Sequence, residues 1–396
     1  MSARASLRRL APLAVLSATL YACAPAPQPE RLRLAPAGFG DLAGWADDGP
    51  QAALPALARS CAVLAKRGDE APVGPGAVGG RVADWRGVCA AIAAAPPGID
   101  AAAARRLIET RFRPWAATDG AGYADGLFTG YYEPELNGAR TRSARFNVPV
   151  LMRPKDLVTV DLGRFAPDLS GRRIAGRVAG GRLEPYAPRV AIEHGALAGH
   201  GLEIAWVDDP IDAFFLHIQG SGRIRLRDGT MLRVGYAAAN GHGYTAIGRA
   251  LIERGAIARE NMSMQAIRAW LRAHPMEGRA LMATNASYVF FRRLSGDGPV
   301  GAQGVALTPG RSLAVDTRLV PLGVPVWLDT TDPLDDRPLR RLMVAQDTGG
   351  AIRGAVRGDV FWGFGAAAAE RAGRMKQTGR WFILLPRAVQ PAAPVS

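Results

Sequence analysis

The chain has 396 residues, enough for two domains of ordinary size, each with its own core. Its 48% hydrophobic and 21% charged residues exclude an intrinsically disordered chain, and 47 glycines with 29 prolines point to many turns and a strand-rich body. The net charge of +14 favours an anionic partner, but Lys66, Lys155 and Lys376 are the only lysines and no arginine stripe interleaves with aromatics, so nucleic acid is not the expected partner.

In chain order, the first feature is a basic start (Arg4, Arg8, Arg9) followed by an apolar run from Leu10 to Tyr21. This is a signal-peptide pattern, residues 1–22, too short to span a bilayer as a stable helix. It ends in Leu20-Tyr21-Ala22-Cys23, which resembles the lipobox of bacterial lipoproteins and makes Cys23 the expected lipidated first residue. The competing reading is ordinary cleavage and a soluble periplasmic protein. Ala24 follows the cysteine instead of an inner-membrane-retaining aspartate, so the periplasmic side of the outer membrane is the expected location. Residues 23–37 are proline-rich and read as a semi-rigid tether, because proline fixes φ and lacks the donor a helix needs.

Two cysteines remain, Cys61 and Cys89, each on a helix-like stretch. In an oxidising compartment such a pair is most simply a disulfide, the alternative being two buried thiols. No metal site is expected: the five histidines (His194, His200, His217, His242, His274) have no ligand spacing with them. Asp100 before Ala101 to Ile108 is a helix N-cap. From Gly126 the pattern changes to short β-branched and aromatic runs: Leu127 to Tyr132, Ala213 to Gln219, and Arg223 to Leu226 before the hairpin signal Asp228-Gly229. Helices are expected over Thr245 to Arg254 and Ser263 to Ala273. Strands return at Ser312 to Val315, Val324 to Leu328, Leu342 to Ala345 and Trp381 to Leu385, before a loose tail at 389–396.

Three aspartates carry the best chemical signal. Asp316 and Asp347 each end an apolar run, and Asp359 follows Arg357-Gly358; Gly349 and Gly350 follow Asp347. Carboxylates at strand ends beside glycine-rich loops can converge on one rim of a barrel. Converging carboxylates raise one another's pKa, giving the protonated acid that glycosidic cleavage needs. A single aspartate in such a place is more often a turn cap; three together weaken that alternative.

These residues carry a family resemblance. Thr308 to Asp316, Ala345 to Ile352 and Gly358 to Gly363 resemble the three-aspartate domain of the membrane-bound lytic murein transglycosylase A family. Thr129 to Pro134, His217 to Gly222 and Asn285 to Phe291 are similar to its other signatures, so the likeness spans roughly residues 120–386 in order. The resemblance implies an α+β fold, mainly β: a double-psi β-barrel domain (38–133 and 292–388) split by an inserted β-rich domain (134–291), with a groove between them. It implies Asp359 as the acid and base, Asp347 as a supporting carboxylate, and Asp316 as supporting or structural. Thr129, Tyr131 and Tyr132 become expected glycan contacts, Gly349, Gly350 and Trp362 line the same groove, and His217, Gln219, Ser221 and Gly222 shape a groove-facing hairpin.

The implied reaction is non-hydrolytic cleavage of the β-1,4 bond between N-acetylmuramic acid and N-acetylglucosamine in peptidoglycan, leaving a 1,6-anhydromuramyl end, with no cofactor. The expected partners are glycan strands and, through the lipid, a membrane. Two alternatives stay open: a peptidoglycan hydrolase using a second carboxylate, and a non-catalytic wall-binding lipoprotein.

Overall fold

The computed structural model describes residues 30–169, 172–296 and 298–391; residues 1–22, read above as a signal peptide, and Cys23 lie outside them. Strand Lys376–Pro386 is the seam of the larger sheet. Its first residues pair with Gly126–Glu133 and its middle with Pro325–Thr331. The order Gly126–Glu133, Arg357–Phe364, Ser312–Val315, Pro338–Asp347, Pro325–Thr331, Lys376–Pro386 therefore returns to its start as a closed six-stranded barrel. Closure removes the sheet edges that would otherwise invite pairing with other chains. Two of its pairings, Ser312–Val315 with Pro338–Asp347 and Arg357–Phe364 with Gly126–Glu133, are parallel, which fits the crossing connections of a double-psi barrel. Strands Phe112–Thr118 and Arg33–Pro36 extend the sheet beyond the far half of the seam.

The barrel strands read as near-continuous apolar runs because they are covered on both faces. Phe128, Leu313, Val326, Trp327, Leu342, Val344, Val360 and Ile383 are fully buried in one core with Leu57 and Trp85 from the N-terminal helices. Of those helices, Leu54–Leu64 and Val82–Ala93 are joined by a Cys61–Cys89 disulfide. The third, Ala101–Arg111, is capped by Asp100, whose carboxylate accepts the Ala103 amide at 2.7 Å.

The chain passes from the barrel at Glu133 into a second sheet at Glu135. Its order is Val289–Arg293, Met231–Ala239, Ser221–Leu226, Glu135–Ala139, Glu203–Val207, Val148–Leu151, and a bridge between Met152 and Phe291 brings its two edges together. A separate three-stranded sheet, Val158–Asp161, Arg173–Ala179 and Arg182–Pro185, sits on this part of the chain. The junction is pinned by Glu133, fully buried, which accepts from Arg223 at 2.8 Å and Arg233 at 3.4 Å.

One element differs from the sequence reading. Ala213 to Gln219 is not a strand but part of a helix, Pro210–Gln219. Asp209 caps its start, accepting the Ile211 amide at 2.7 Å, Pro210 occupies the first turn, and Gly220 closes it at φ 75°. A helix buried on most sides has no apolar–polar period to betray it, and its aromatic content imitates a strand. His217 and Gln219 thus stand on this helix, and only Ser221 and Gly222 stand on the hairpin strand that follows. A further helix, Pro275–Ala283, follows Met264–Ala273 directly, begun by its proline after His274.

Candidate active site

Parallel pairing of Gly126–Glu133 with Arg357–Phe364 sets Thr129 opposite Asp359 and Tyr131 opposite Phe361. Side chains alternate along a strand, so these four share one face, and Phe128, Gly130 and Tyr132 take the other. On the shared face the Tyr131 and Phe361 rings lie 5.2 Å apart, in an apolar cluster with Leu307, Ala314 and Ile352.

Into this apolar ground two carboxylates are set. Asp359 Oδ1 accepts the Thr129 hydroxyl at 2.7 Å, and that hydroxyl in turn accepts from Arg357 Nη2 at 2.8 Å. Arg357 can only donate, so the hydroxyl is acceptor there and donor to the ionised Asp359. Asp347 Oδ2 accepts the Tyr131 hydroxyl at 2.8 Å, and its Oδ1 accepts the Ala302 amide at 2.8 Å.

Burial holds Asp359 above the usual carboxylate range, against the pull of the Arg357 charge and the Thr129 hydrogen bond. Asp347 is raised too. Burial again dominates, opposed by Tyr131 and the Thr348 and Ala302 amides and reinforced by the charge of Asp359. Desolvation is thus the largest cause for both carboxyls, and a neighbouring like charge adds to it for Asp347. Arg357 is itself pushed down by burial, partly offset by Asp359.

Asp316, the third aspartate, does not join them. It is fully buried and ion-paired with Arg318, and it accepts the Gly354 amide at 3.0 Å. Burial would raise it, but Arg318 and the Gly354 amide prevail and hold it below its ordinary value. It is an ionised brace for the 348–354 loop. Within that loop Gly350 opens to solvent, and a Cβ on Gly349 would press Ile352 at 3.2 Å.

Tyr132 and Trp362, two expected sugar platforms, lie on the opposite face of their strands from Asp359. Tyr132 faces away from the aspartates and packs with Ala368, Ala372 and Trp362 under helix Ala366–Arg374. The Trp362 ring lies between Arg341 and Arg371, against Gly130, where a Cβ would come within 2.6 Å of Nε1. Strand alternation sends both rings to the side opposite Asp359. Gln219 serves the junction, its Oε1 accepting the Tyr132 amide at 3.1 Å. Ser221 is buried, and His217 is a core residue: it lies between Tyr288 and Phe291, and burial with the Arg189 charge keeps it neutral. A cavity of about 560 Å³, lined by Phe214, His217, Arg189 and Tyr288, lies across helix Pro210–Gln219 from its Tyr132-facing side and does not touch the aspartates. Among the described residues no cluster of His, Cys, Asp and Glu could hold a metal.

Residues 127–292 match the model described as the MltA specific insert domain, and residues 311–385 match the 3D domain. The membrane-bound lytic murein transglycosylase A of Escherichia coli (strain K12) is 35% identical over 278 residues, 68% of each chain. The chain belongs to the membrane-bound lytic murein transglycosylase A family. A crystal structure of a membrane-bound lytic murein transglycosylase from Agrobacterium tumefaciens superposes with a TM-score of 0.80 at 35% identity, covering 90% of this chain and 98% of the other. E. coli MltA with bound chitohexaose gives 0.62 at 29% identity, covering 91% and 95%.

In this family member two contributors, Arg357 and Ala302, escaped the sequence reading. Arg357 was visible only as part of an Arg-Gly-Asp run, yet it orients Thr129. Thr129 and Tyr131, expected as glycan contacts, hydrogen-bond to the two carboxylates. Ala302 acts through its backbone amide, which no side-chain motif could reveal.

Proposed function

We propose that this lytic transglycosylase cleaves the N-acetylmuramic acid–β-1,4–N-acetylglucosamine bond with Asp359 as sole acid and base, leaving a 1,6-anhydromuramyl end. The observation that carries the reading is the Thr129 hydrogen bond. It occupies Oδ1, so the acid proton of Asp359 resides on Oδ2, which has no protein donor among the described residues and is available to substrate.

Asp359 Oδ2–H gives its proton to the bridging oxygen as the C1–O bond breaks, and the sugar acquires oxocarbenium character. The carboxylate then accepts the proton of the muramyl C6 hydroxyl as O6 bonds to C1. The acid is regenerated and no water is consumed. The raised pKa of Asp359 serves the first half, and the same environment makes its conjugate base strong enough for the second. Asp347, itself raised by burial and by the charge of Asp359, accepts the Tyr131 hydroxyl on the same face as the acid. The binding of chitohexaose by the E. coli relative supports a β-1,4 glycan as ligand. Asp359→Asn, assayed for release of soluble fragments from purified peptidoglycan, is expected to lose at least roughly 10³-fold in turnover, the scale of an essential acid; wild-type turnover in this variant would refute the assignment.

For location, the reading is a protein held on the periplasmic face of the outer membrane through a lipid on Cys23. The "membrane-bound" of the relatives' name supports it. Cys23→Ser should move the protein from the membrane to the soluble fraction; retention there would refute the anchor.

A further inference from the structure

Asp347 is roofed by a short turn. Val300 and Ala306 form an antiparallel bridge, Gly301 N–H donates to the Val305 carbonyl at 3.0 Å, and Gly304 N–H donates to the Gly301 carbonyl at 2.8 Å. From this turn the Ala302 amide reaches Asp347 Oδ1. The fit is close: a Cβ on Gly301 would stand 2.5 Å from the carbonyl oxygen of Gln346.

The turn is clasped at both ends by one buried chain of hydrogen bonds. Thr308 N–H, at its base, donates to Ser312 Oγ at 2.8 Å, and Ser312 donates to Gln346 Oε1 at 2.7 Å. Gln346 Nε2 donates to Ser60 Oγ at 2.9 Å and to the Ala56 carbonyl at 2.7 Å. Ser60 then donates to Gln303 Oε1 at 2.8 Å, next to Ala302. The Gln303 amide closes the circuit on the Gln346 carbonyl at 3.0 Å. Ser312 accepts from Thr308 and donates to Gln346, while Ser60 accepts from Gln346 and has the shorter of its two acceptor contacts to Gln303, the Ala56 carbonyl lying at 3.3 Å. Ser60, Ser312 and Gln346 are each fully buried, where an unmade hydrogen bond costs most.

We propose that Gln346, acting with Ser60 of helix Leu54–Leu64, is a positioning residue that holds the Ala302 amide on Asp347. The inference deepens the transglycosylase reading and rests on it only for its kinetic consequence. It gives the N-terminal helix a share in the site: Ser60 adjoins Cys61, and the disulfide fixes the helix from which Ser60 reaches Gln303.

The test follows the Ala302 amide resonance of the full chain through a pH titration, with kcat and KM on peptidoglycan, in the wild type, Gln346→Leu, Ser60→Ala and Ser60→Thr. In the wild type the Ala302 resonance should track Asp347. In Gln346→Leu and Ser60→Ala that response should be lost and kcat should fall about tenfold with KM within about twofold; Ser60→Thr, which keeps the hydroxyl, should restore both. An unchanged Ala302 response in folded Gln346→Leu or Ser60→Ala would overturn the inference, even if thermal stability drops. A wild type inert on peptidoglycan would instead count against the transglycosylase reading, and the resonance would still decide this one.

Discussion

Thr129 is bound to Asp359 as donor and not as acceptor, at 2.7 Å, because Arg357 already occupies the other side of its oxygen. Thr129→Val keeps the shape and deletes the proton. Asp359, freed from a bond that lowers its pKa, should rise further, so the alkaline limb of the kcat profile should move to higher pH. Loss of an oriented bond to a charged group costs about 1.5–3 kcal/mol, so kcat should also fall roughly tenfold or more. A limb that moves down would contradict the assigned direction of the bond.

Raised carboxyl pKa values also predict a stability gain on their removal. Asp359 has a folded pKa above its unfolded value, so its ionisation costs stability once pH exceeds the unfolded value. Asp359→Asn should therefore melt at a higher temperature than the wild type at neutral pH, and the advantage should shrink as pH falls from the raised folded value toward about 4 and vanish below it, where the carboxyl is protonated in both states. Melting curves across pH check this. A lower melting temperature at neutral pH would show that the carboxylate is not the strained group described.

Glu133 should behave in the opposite way. It is fully buried between Arg223 and Arg233 where the chain leaves the barrel. Glu133→Ala would leave two largely buried guanidinium groups without their partner and should cost about 3–5 kcal/mol. Denaturant unfolding measures it, and a change within about 0.5 kcal/mol would mean the junction is solvated.

The Cys61–Cys89 bond closes a loop of 28 residues in sequence separation. In the chain-entropy model such a loop stabilises by about 3–4 kcal/mol, so Cys61→Ser with Cys89→Ser should unfold earlier by that amount. A double variant as stable as the wild type would mean the reduced chain is already held by its packing.

Much of the barrel was legible because its strands are apolar, β-branched and bounded by glycine, and because Asp347 and Asp359 end or begin such runs. The convergence of those two was readable; the separation of Asp316 was not, because Arg318 two residues on gives no sign in sequence that it will fold back as an ion pair. That Tyr132 and Trp362 lie on the face opposite Asp359 was hidden for a different reason. An aromatic residue beside a catalytic motif suggests a sugar platform, but its face depends on register, and register depends on pairing with a strand some 230 residues away. The helix Pro210–Gln219 was hidden by its burial, though Asp209-Pro210 and Gly220 are its start and stop signals. The contributions of Ala302 and Gln346 are long-range hydrogen bonds and left no local trace.

In the proposed reaction the substrate's own C6 hydroxyl, and not water, completes the step begun by Asp359. Complete digestion of purified peptidoglycan by the wild type, with the muropeptides resolved by mass, tests it most directly. The account predicts muramyl ends lighter than hydrolytic ends by the mass of one water and resistant to borohydride reduction, as a 1,6-anhydro ring must be. Reducible muramic acid ends carrying that water would contradict it and point to a hydrolase.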